Sequence, residues 1–409
     1  MSQPVLVAGA RTPIGKMLGG LSRLQAPALG AASIRAALDR GGIAANQVDA
    51  VILGNVVQAG VGPNPARLAA VAGGVPMSVP ATTVNKLCLS GLAAIAQAAQ
   101  LIMTGYYEVV VAGGMESMSN APHLLPGSRR GVRYGEAAFL DALDSDALVC
   151  GFDGISMGAA TERYQAGLGI SRQDQDAFGA ESHARAAAAI KAGRLAEEIV
   201  PLTAQKQLYD KEGKPTTKET VTLAKDEGNR PETTLESLAA LKPVWKDGRW
   251  VKQGAHITAG NASQLSDGAA AVLLMSAAEA KRRGLAPLGV YRGAAVAGCK
   301  PDEMGIGPVF AIPKLLAKHG LSVADIGLWE LNEAFACQVL YCRDRLGIPN
   351  DRLNVDGGAI SIGHPFGMSG ARMVGHALVE GRRRGVKYAV VTMCIGGGMG
   401  AAALFEIGR

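Results

Sequence analysis

Short runs rich in β-branched residues alternate along the chain with Ala- and Leu-rich segments of helical period. VLVAGA (5–10), VDAVILGN (48–55) and EVVVAGG (108–114) have strand character, and 91–104 carries apolar positions at helical spacing. Such runs suit strands covered on both faces, so the pattern predicts parallel strands under helices, an α/β layered architecture. The same order returns near the C-terminus: IGLWELNE (326–333), a Gly-rich loop leading into a helix (357–380), then KYAVVTMCIGGGMGAAALFE (387–406). One fixed offset lays Ser90-Gly91 on Ser369-Gly370, Asn55 near Asn332-Glu333-Ala334, and the 109–112 strand on 388–391. Two similarly folded α/β halves are therefore expected. Between them 119–265 breaks the rhythm with PGSRRGVRYGE and LYDKEGKPTTKETVTLAKDEGNRPE, the texture of an inserted loop domain. The expected division is 1–118 with 266–287, then 119–265, then 288–409.

At 409 residues the chain exceeds what one hydrophobic core organises, and 48% hydrophobic with 19% charged residues excludes a disordered protein. Its 54 glycines cluster in motifs, which points to close backbone approach at chosen places. The net charge of +6 is spread thinly, so nucleic acid is not an expected partner and a phosphate-bearing small molecule is. Six cysteines at 88, 150, 299, 337, 342 and 394 include no C-x-x-C pair, so no metal is expected. The opening MSQPVLVAGARTPIGK lacks a secretory core and no apolar run reaches about 18 residues, so a soluble, cytoplasmic, membrane-free setting is expected.

Four positions could carry chemistry. Cys88 in TTVNKLCLSGLAAI lies where a strand-like run gives way to an Ala-rich helix; helix-start N–H groups lower a thiol pKa, although a Cys beside Leu can equally be a small core residue. His364 in GGAISIGHPFGMSGAR occupies the matching turn of the second half, where an imidazole can act as base or oxyanion donor. His123, His183, His256, His319 and His376 lack such surroundings and read as structural. Cys394 ends an apolar strand in TMCIGGGMG, whose glycines free main-chain N–H groups to face an oxygen. Asn332 in ELNEAFA either serves the same site or caps the following helix. All four lie at strand ends or helix starts, where open α/β sheets place their ligands.

NKLCLSG, NEAFA, GGAISIGHPFGMSGAR and CIGGGMG, in this order, resemble the signature motifs of the thiolases, and the likeness runs from Ala10-Arg11-Thr12-Pro13 to the C-terminus. The resemblance implies a thiolase-like fold, two α/β halves layered αβαβα with an inserted loop domain. It implies an acyltransferase that joins two acetyl-CoA molecules reversibly into acetoacetyl-CoA through an acyl-cysteine. Cys88 would be the acylated nucleophile, activated by His364; Cys394 would move the proton of the second acetyl group; His364 and a water on Asn332 would meet the thioester oxygen; and the N–H groups of Cys88 and Gly396 would form the other oxyanion hole. Coenzyme A and acyl-CoA are substrates, no tightly bound cofactor is expected, and family habit implies a homodimer or homotetramer. Within NRPETTLESLAALKPVW, Arg230, Ser237 and Trp245 would lie along coenzyme A, and Ala259, Ser263, Met157, Ala334 and Phe335 would line the pantetheine tunnel.

Departures qualify the likeness. Ser156 replaces a His common before Met-Gly, which puts one cofactor contact in doubt, and Phe366 and Met368 add bulk near His364. Met304 matches a residue bordering a short acyl pocket, so a two-carbon acyl group is favoured over a degradative 3-ketoacyl-CoA thiolase with longer substrates or a non-catalytic CoA-ester binding protein.

Overall fold

A computed structural model describes residues 2–165, 167–210, 212, 214–244 and 251–408. Nine strands form its main sheet: β1 (Pro4–Arg11), β2 (Ala50–Gly54), β3 (Ala81–Val84), β4 (Val109–Ser117), β5 (Ser266–Ser276), β6 (Gly289–Gly298), β7 (Leu328–Leu331), β8 (Tyr388–Ile395) and β9 (Met399–Ile407). They lie in the order β7-β8-β9-β6-β1-β5-β4-β2-β3, with the short strand Gly15–Lys16 beside β5. The expected parallel sheet holds only for β3-β2-β4 and for β7-β8; β4-β5-β1 and β8-β9-β6 are antiparallel. The reason lies in connectivity: β8 and β9 are joined by a glycine turn, a link that only antiparallel strands allow. The sequence pattern singled out neither β5, buried along its whole length, nor β6, which alternates between buried and more exposed residues.

Alternation along the strands sorts the core into layers. Ile52, Val110 and Val272 turn inward with Val391, Met393 and Phe405 onto α3 (Ser90–Met103) and a long C-terminal helix, Phe366–Arg384. Val51, Leu53, Val111 and Leu273 face α1 (Ala26–Gly41) and α2 (Pro65–Ala72) on one outer side. Trp329, Val390 and Leu404 face the helices Gly307–His319 and Ala336–Leu346 on the other. The resulting order is helix, sheet, helix, sheet, helix. The segment between β4 and β5 holds α4 (Met157–Gln165), α5 (Arg172–Lys191), α6 (Leu235–Ala239) and a hairpin of Leu202–Tyr209 with Pro215–Leu223. A short helix, Ala277–Arg282, follows β5, and the helices after it are labelled α7 (Gly307–His319), α8 (Ala336–Leu346), α9 (Ala359–Ile362) and α10 (Phe366–Arg384).

The two central helices cross where neither has a side chain. A Cβ on Gly91 of α3 would lie 2.6 Å from the Gly367 carbonyl oxygen of α10, one on Gly370 would lie 2.5 Å from Leu92 N, and one on Gly114 of β4 would lie 1.8 Å from the same Gly367 oxygen. These glycines let helix ends from both halves meet above the sheet.

A buried ion network ties the layers together. Arg11 of β1 bonds Asp226 at 2.7 Å and Glu198 at 3.4 Å; Arg372 of α10 bonds Glu330 of β7 at 3.1 Å; and Arg194 bonds Asp356 at 2.8 Å. His376, read from sequence as an ordinary helix residue, sits at the centre, 3.3 Å from Glu198, 3.9 Å from Glu330 and 3.7 Å from Asp356. Burial opposes its charge, but Glu198, Glu330 and Asp356 outweigh that and hold its pKa at about 9. All six cysteines are free, and among the described residues no helix is long and apolar enough to cross a membrane.

A pKa raised from 6.5 to about 9 gives a stabilising contribution that is complete below the lower value and lost as pH rises through the higher. Thermal unfolding should therefore show Tm falling between about pH 7 and 9.5 by roughly 3 °C or more. His376→Gln should lower Tm at pH 6.5 and flatten that slope; a mutant with the wild-type slope would remove His376 as its source.

Candidate active site

The turn after β3 is braced before α3 begins. Asn85 Oδ1 accepts the Leu87 N–H at 3.0 Å, and Ser90 Oγ accepts the Lys86 N–H at 2.8 Å while donating to Leu87 O at 2.6 Å. Leu87 is held at φ 50°, a left-handed geometry uncommon for Leu, and this throws Cys88 out of the strand-to-helix line. Cys88 remains partly accessible. The main-chain N–H groups of Gly396 and of Cys88 itself lie close enough to its sulfur to lower the thiol pKa.

The expected acidic thiol is not what the site holds. Burial pushes Cys88 up to about 11, and the two N–H groups only partly offset it, with the Glu116 charge adding to the rise. The helix-start argument fails because α3 begins at Ser90, beyond Cys88, and desolvation of a thiolate outweighs two N–H donors. Cys394, the seventh residue of β8, is fully buried; burial drives its thiol far above the ordinary range, and proximity to Cys88 adds to it. Both thiols are thus protonated at rest and need a base.

His364 follows α9 through Gly363, whose φ of 110° and missing Cβ are both required, since a Cβ would lie 2.2 Å from Ser266 Oγ. Burial, with Arg372 adding to it, lowers its pKa to about 3, so the ring is neutral. Nδ1 lies 2.6 Å from Ser369 Oγ, which donates to Pro365 O at 3.0 Å. A hydroxyl that donates to the carbonyl accepts from Nδ1–H, which leaves the lone pair on Nε2, where Asn332 Nδ2 sits at 3.2 Å. Such a ring can take a thiol proton. Phe366 stands edge-on to it at 5.1 Å, whereas Met368 turns away into the core against Gly268, so only one of the two bulky replacements crowds His364.

Asn332 does not cap the following helix: α8 begins at Ala336 with Phe335 at its N-cap. Its main chain is pinned to Thr392 O at 3.0 Å, its side chain is buried, and Oδ1 has no protein partner. An unpartnered buried acceptor beside a neutral imidazole is suited to hold a water or a substrate atom.

The residues expected along coenzyme A fall into two groups. Ser263 N–H donates to Ala334 O at 3.0 Å and Ala262 bridges Phe335, so the NEAFA loop and the TAGNAS loop are zipped together, with Ala259 exposed at one end. Met157 packs on Gly396, where a Cβ would lie 2.1 Å from its methyl, and Met304 is buried in the turn 301–306. Arg230 is exposed, its N–H bonds His183 Nδ1 at 3.2 Å, and its guanidinium forms no ion pair among the described residues. Ser237 has a local partner: its hydroxyl and Thr234 form the capping box of α6. Trp245 lies outside the described residues. Ser156 is buried and accepts the Ala159 N–H at 3.2 Å at the start of α4, so the doubt about a cofactor contact there is justified.

Sequence reasoning passed over Glu116, Glu333 and the part played by Ser369. Glu333 accepts Ser182 Oγ at 2.7 Å, Asn354 Nδ2 at 2.9 Å and the Ile360 N–H at 3.1 Å, which fixes the NEAFA loop to α5 and α9. Glu116 had a legible signal: an acid near the end of an otherwise unbroken buried strand, VVVAGGMES.

Fold and site together define an acyl-transferring α/β enzyme of two-cysteine type. Residues 4–278 match the thiolase N-terminal domain and residues 285–407 the thiolase C-terminal domain. The chain belongs to the thiolase family. It is 46% identical over 401 residues to an acetyl-CoA acetyltransferase of Chromobacterium violaceum, covering 98% of each chain, and 47% identical over 402 residues to that of Pseudomonas aeruginosa, again covering 98% of each. The crystal structure of the Bacillus anthracis acetyl-CoA acetyltransferase superposes with a TM-score of 0.92 at 38% identity, covering 100% of this chain and 99% of that one.

Ser369→Ala leaves Nδ1 of His364 buried without its partner. Stability in urea should fall by about 1–3 kcal/mol, and the 15N shifts of His364 should change from the Nδ1–H form to a tautomer mixture. Unchanged shifts would show that Ser369 does not set the ring.

Proposed function

We propose that this protein is an acetyl-CoA C-acetyltransferase, carrying out the reversible Claisen condensation of two acetyl-CoA molecules to acetoacetyl-CoA and free coenzyme A. The observation that carries the reading is that two thiols share one site, partly accessible Cys88 near the main-chain N–H groups of Gly396 and its own residue, and buried Cys394 close enough to be perturbed by it. In the first step Cys88 attacks the thioester carbonyl as its proton passes to His364 Nε2, and the carbonyl oxygen becomes an anion facing the Gly396 and Cys88 N–H groups. Each such donor contributes about 3 kcal/mol to the barrier in comparable sites. Collapse of that intermediate expels the coenzyme A thiolate, which takes the proton from His364, and leaves acetyl-Cys88.

In the second step Cys394 gives its own proton to His364 Nε2, now free again, and as the thiolate removes a methyl proton from a second acetyl-CoA. Its thioester oxygen gains the charge and is met by His364 and by a water on Asn332. The resulting carbanion attacks acetyl-Cys88, and the tetrahedral intermediate expels the Cys88 thiolate. The Cys88 thiolate recovers its proton from His364 Nε2, and Ser369 supports both duties of the ring because its hydroxyl keeps accepting from Nδ1–H whether or not Nε2 carries a proton. The division at 119–265 assigns contacts with coenzyme A to the insert, Arg230 to its phosphates, and Ser237 to the nucleotide arm. Coenzyme A enters and leaves as substrate with no tightly bound cofactor. A cytoplasmic homodimer or homotetramer suits the exposed Val132, Tyr134 and Phe139 on the insert. The Phe366 ring against His364 and the buried Met304 favour the acetyl group, which a chain-length series of kcat/KM would test against longer 3-ketoacyl-CoAs.

Mass spectrometry after incubation with acetyl-CoA should place an acetyl group on Cys88, and Cys88→Ala should carry none. Cys394→Ala should still be acetylated, yet lose condensation and the exchange of acetyl-CoA methyl protons with deuterated solvent by about 10²- to 10⁴-fold. A loss of only twofold would transfer the base to another group.

Arg230→Ala should raise KM for coenzyme A substrates by about 5- to 20-fold with kcat nearly unchanged, as expected for a contact remote from the reacting atoms. A change confined to kcat would place Arg230 elsewhere.

A further inference from the structure

No step above uses the carboxylate of Glu116, yet it is fully buried where the two halves meet. Four donors converge on it. Oε1 accepts Asn55 Nδ2 at 2.9 Å and the Val57 N–H at 3.1 Å; Oε2 accepts the Val56 N–H at 3.1 Å and the Gly367 N–H at 2.9 Å. Two bonds to each oxygen is the pattern of an ionised carboxylate, since a protonated acid would turn its own O–H toward an N–H. Asn55, Val56 and Val57 belong to the loop after β2, in the half that carries Cys88. Gly367 belongs to the first turn of α10, which carries Ser369 and is entered from His364.

We infer that Glu116 is a positioning residue: its carboxylate clamps the first turn of α10, and so His364, against the loop after β2, which Asn85 Nδ2 ties to the Cys88 turn by a bond to Val56 O at 3.2 Å. A neutral amide could not make the same clamp, because its NH2 would oppose two of the four N–H groups. The charge is costly to bury, since burial raises the acid to about 7 against the N–H groups of Gly367, Val57 and Val56, with Asp267 of β5 adding to the rise. Among the described residues no cation pairs with it. The titratable groups near the clamp are therefore Asp267, Cys88, and through Cys88 the buried Cys394, with neutral His364 on the α10 side. A negative charge beside a nucleophilic thiol lifts its pKa, so its chemical signature is distinct from that of a mechanical brace.

This inference rests on Cys88 as the acylated residue, which the acetyl label on the wild-type protein tests separately. Glu116→Gln and Glu116→Asp in the full chain are compared by thermal unfolding, by the pH dependence of Cys88 alkylation with iodoacetamide, and by thiolysis of acetoacetyl-CoA. Glu116→Gln should move the alkylation midpoint down by roughly half a unit or more, and lower kcat about 10- to 100-fold with KM changed by less than about threefold. Glu116→Asp keeps the charge but shortens the reach to Gly367, so its alkylation midpoint should match wild type while kcat still falls. An unshifted midpoint in a folded Gln variant overturns the charge argument, and wild-type kcat in a folded Asp variant overturns the clamp. If the Gln variant does not fold, the Asp variant alone decides.

Discussion

The close approach of two helices through glycine is the constraint on which the rest depends. Cys88 precedes α3 and His364 precedes α10, in different halves of a long chain, and they can cooperate only if those helix starts nearly touch. Gly91, Gly114, Gly367 and Gly370 remove the Cβ atoms that would strike the facing main chain, which brings one helix start within main-chain contact of the other. Side chains of ordinary size would hold helices about 8–10 Å apart. The abundance of glycine in a chain with few aromatics has its physical meaning here.

Close approach also produces a dry site, and dryness sets the chemistry. Desolvation holds both thiols protonated and His364 unprotonated, so no reactive ion waits at rest. In the proposed reaction charge appears only as the proton moves, near the main-chain N–H groups of Cys88 and Gly396. Preorganised dipoles in a water-poor site are worth more than the same dipoles in water. The ion network at His376 carries a related burden elsewhere: its cations and carboxylates come from β1, β7, α10 and the insert, so the insert is tied to both sheets by charge as well as by packing. Its strength should vary with pH because His376, held charged by Glu198, Glu330 and Asp356, loses its proton near pH 9.

The insert shows where local reading of sequence is weakest. Ser237 and Ser156 both occupy positions that suggest ligand contact, and both hydroxyls also serve the start of a helix. A serine that caps a helix and a serine that waits for a ligand have the same local sequence. Only knowledge of which N–H groups are left over distinguishes them.

The alternation of strand-like and helical runs, their recurrence at a fixed offset, and the positions of Cys88, His364, Asn332 and Cys394 were legible in the sequence, because periodicity and turn chemistry are local properties. The antiparallel pairing of β5 and β6 was not, since strand direction depends on which distant strands pair and no local pattern records it. The ionisation of Cys88 was misread for a similar reason: the helix start is local and visible, whereas burial depends on residues hundreds of positions away. Glu116 stood in plain view at the end of β4, but its meaning required Gly367, which only the folded chain brings within 2.9 Å. Sequence determined which residues could do the chemistry; tertiary structure decided their charge states and which backbone groups face them, because solvent exclusion and hydrogen-bond geometry arise only when distant segments pack.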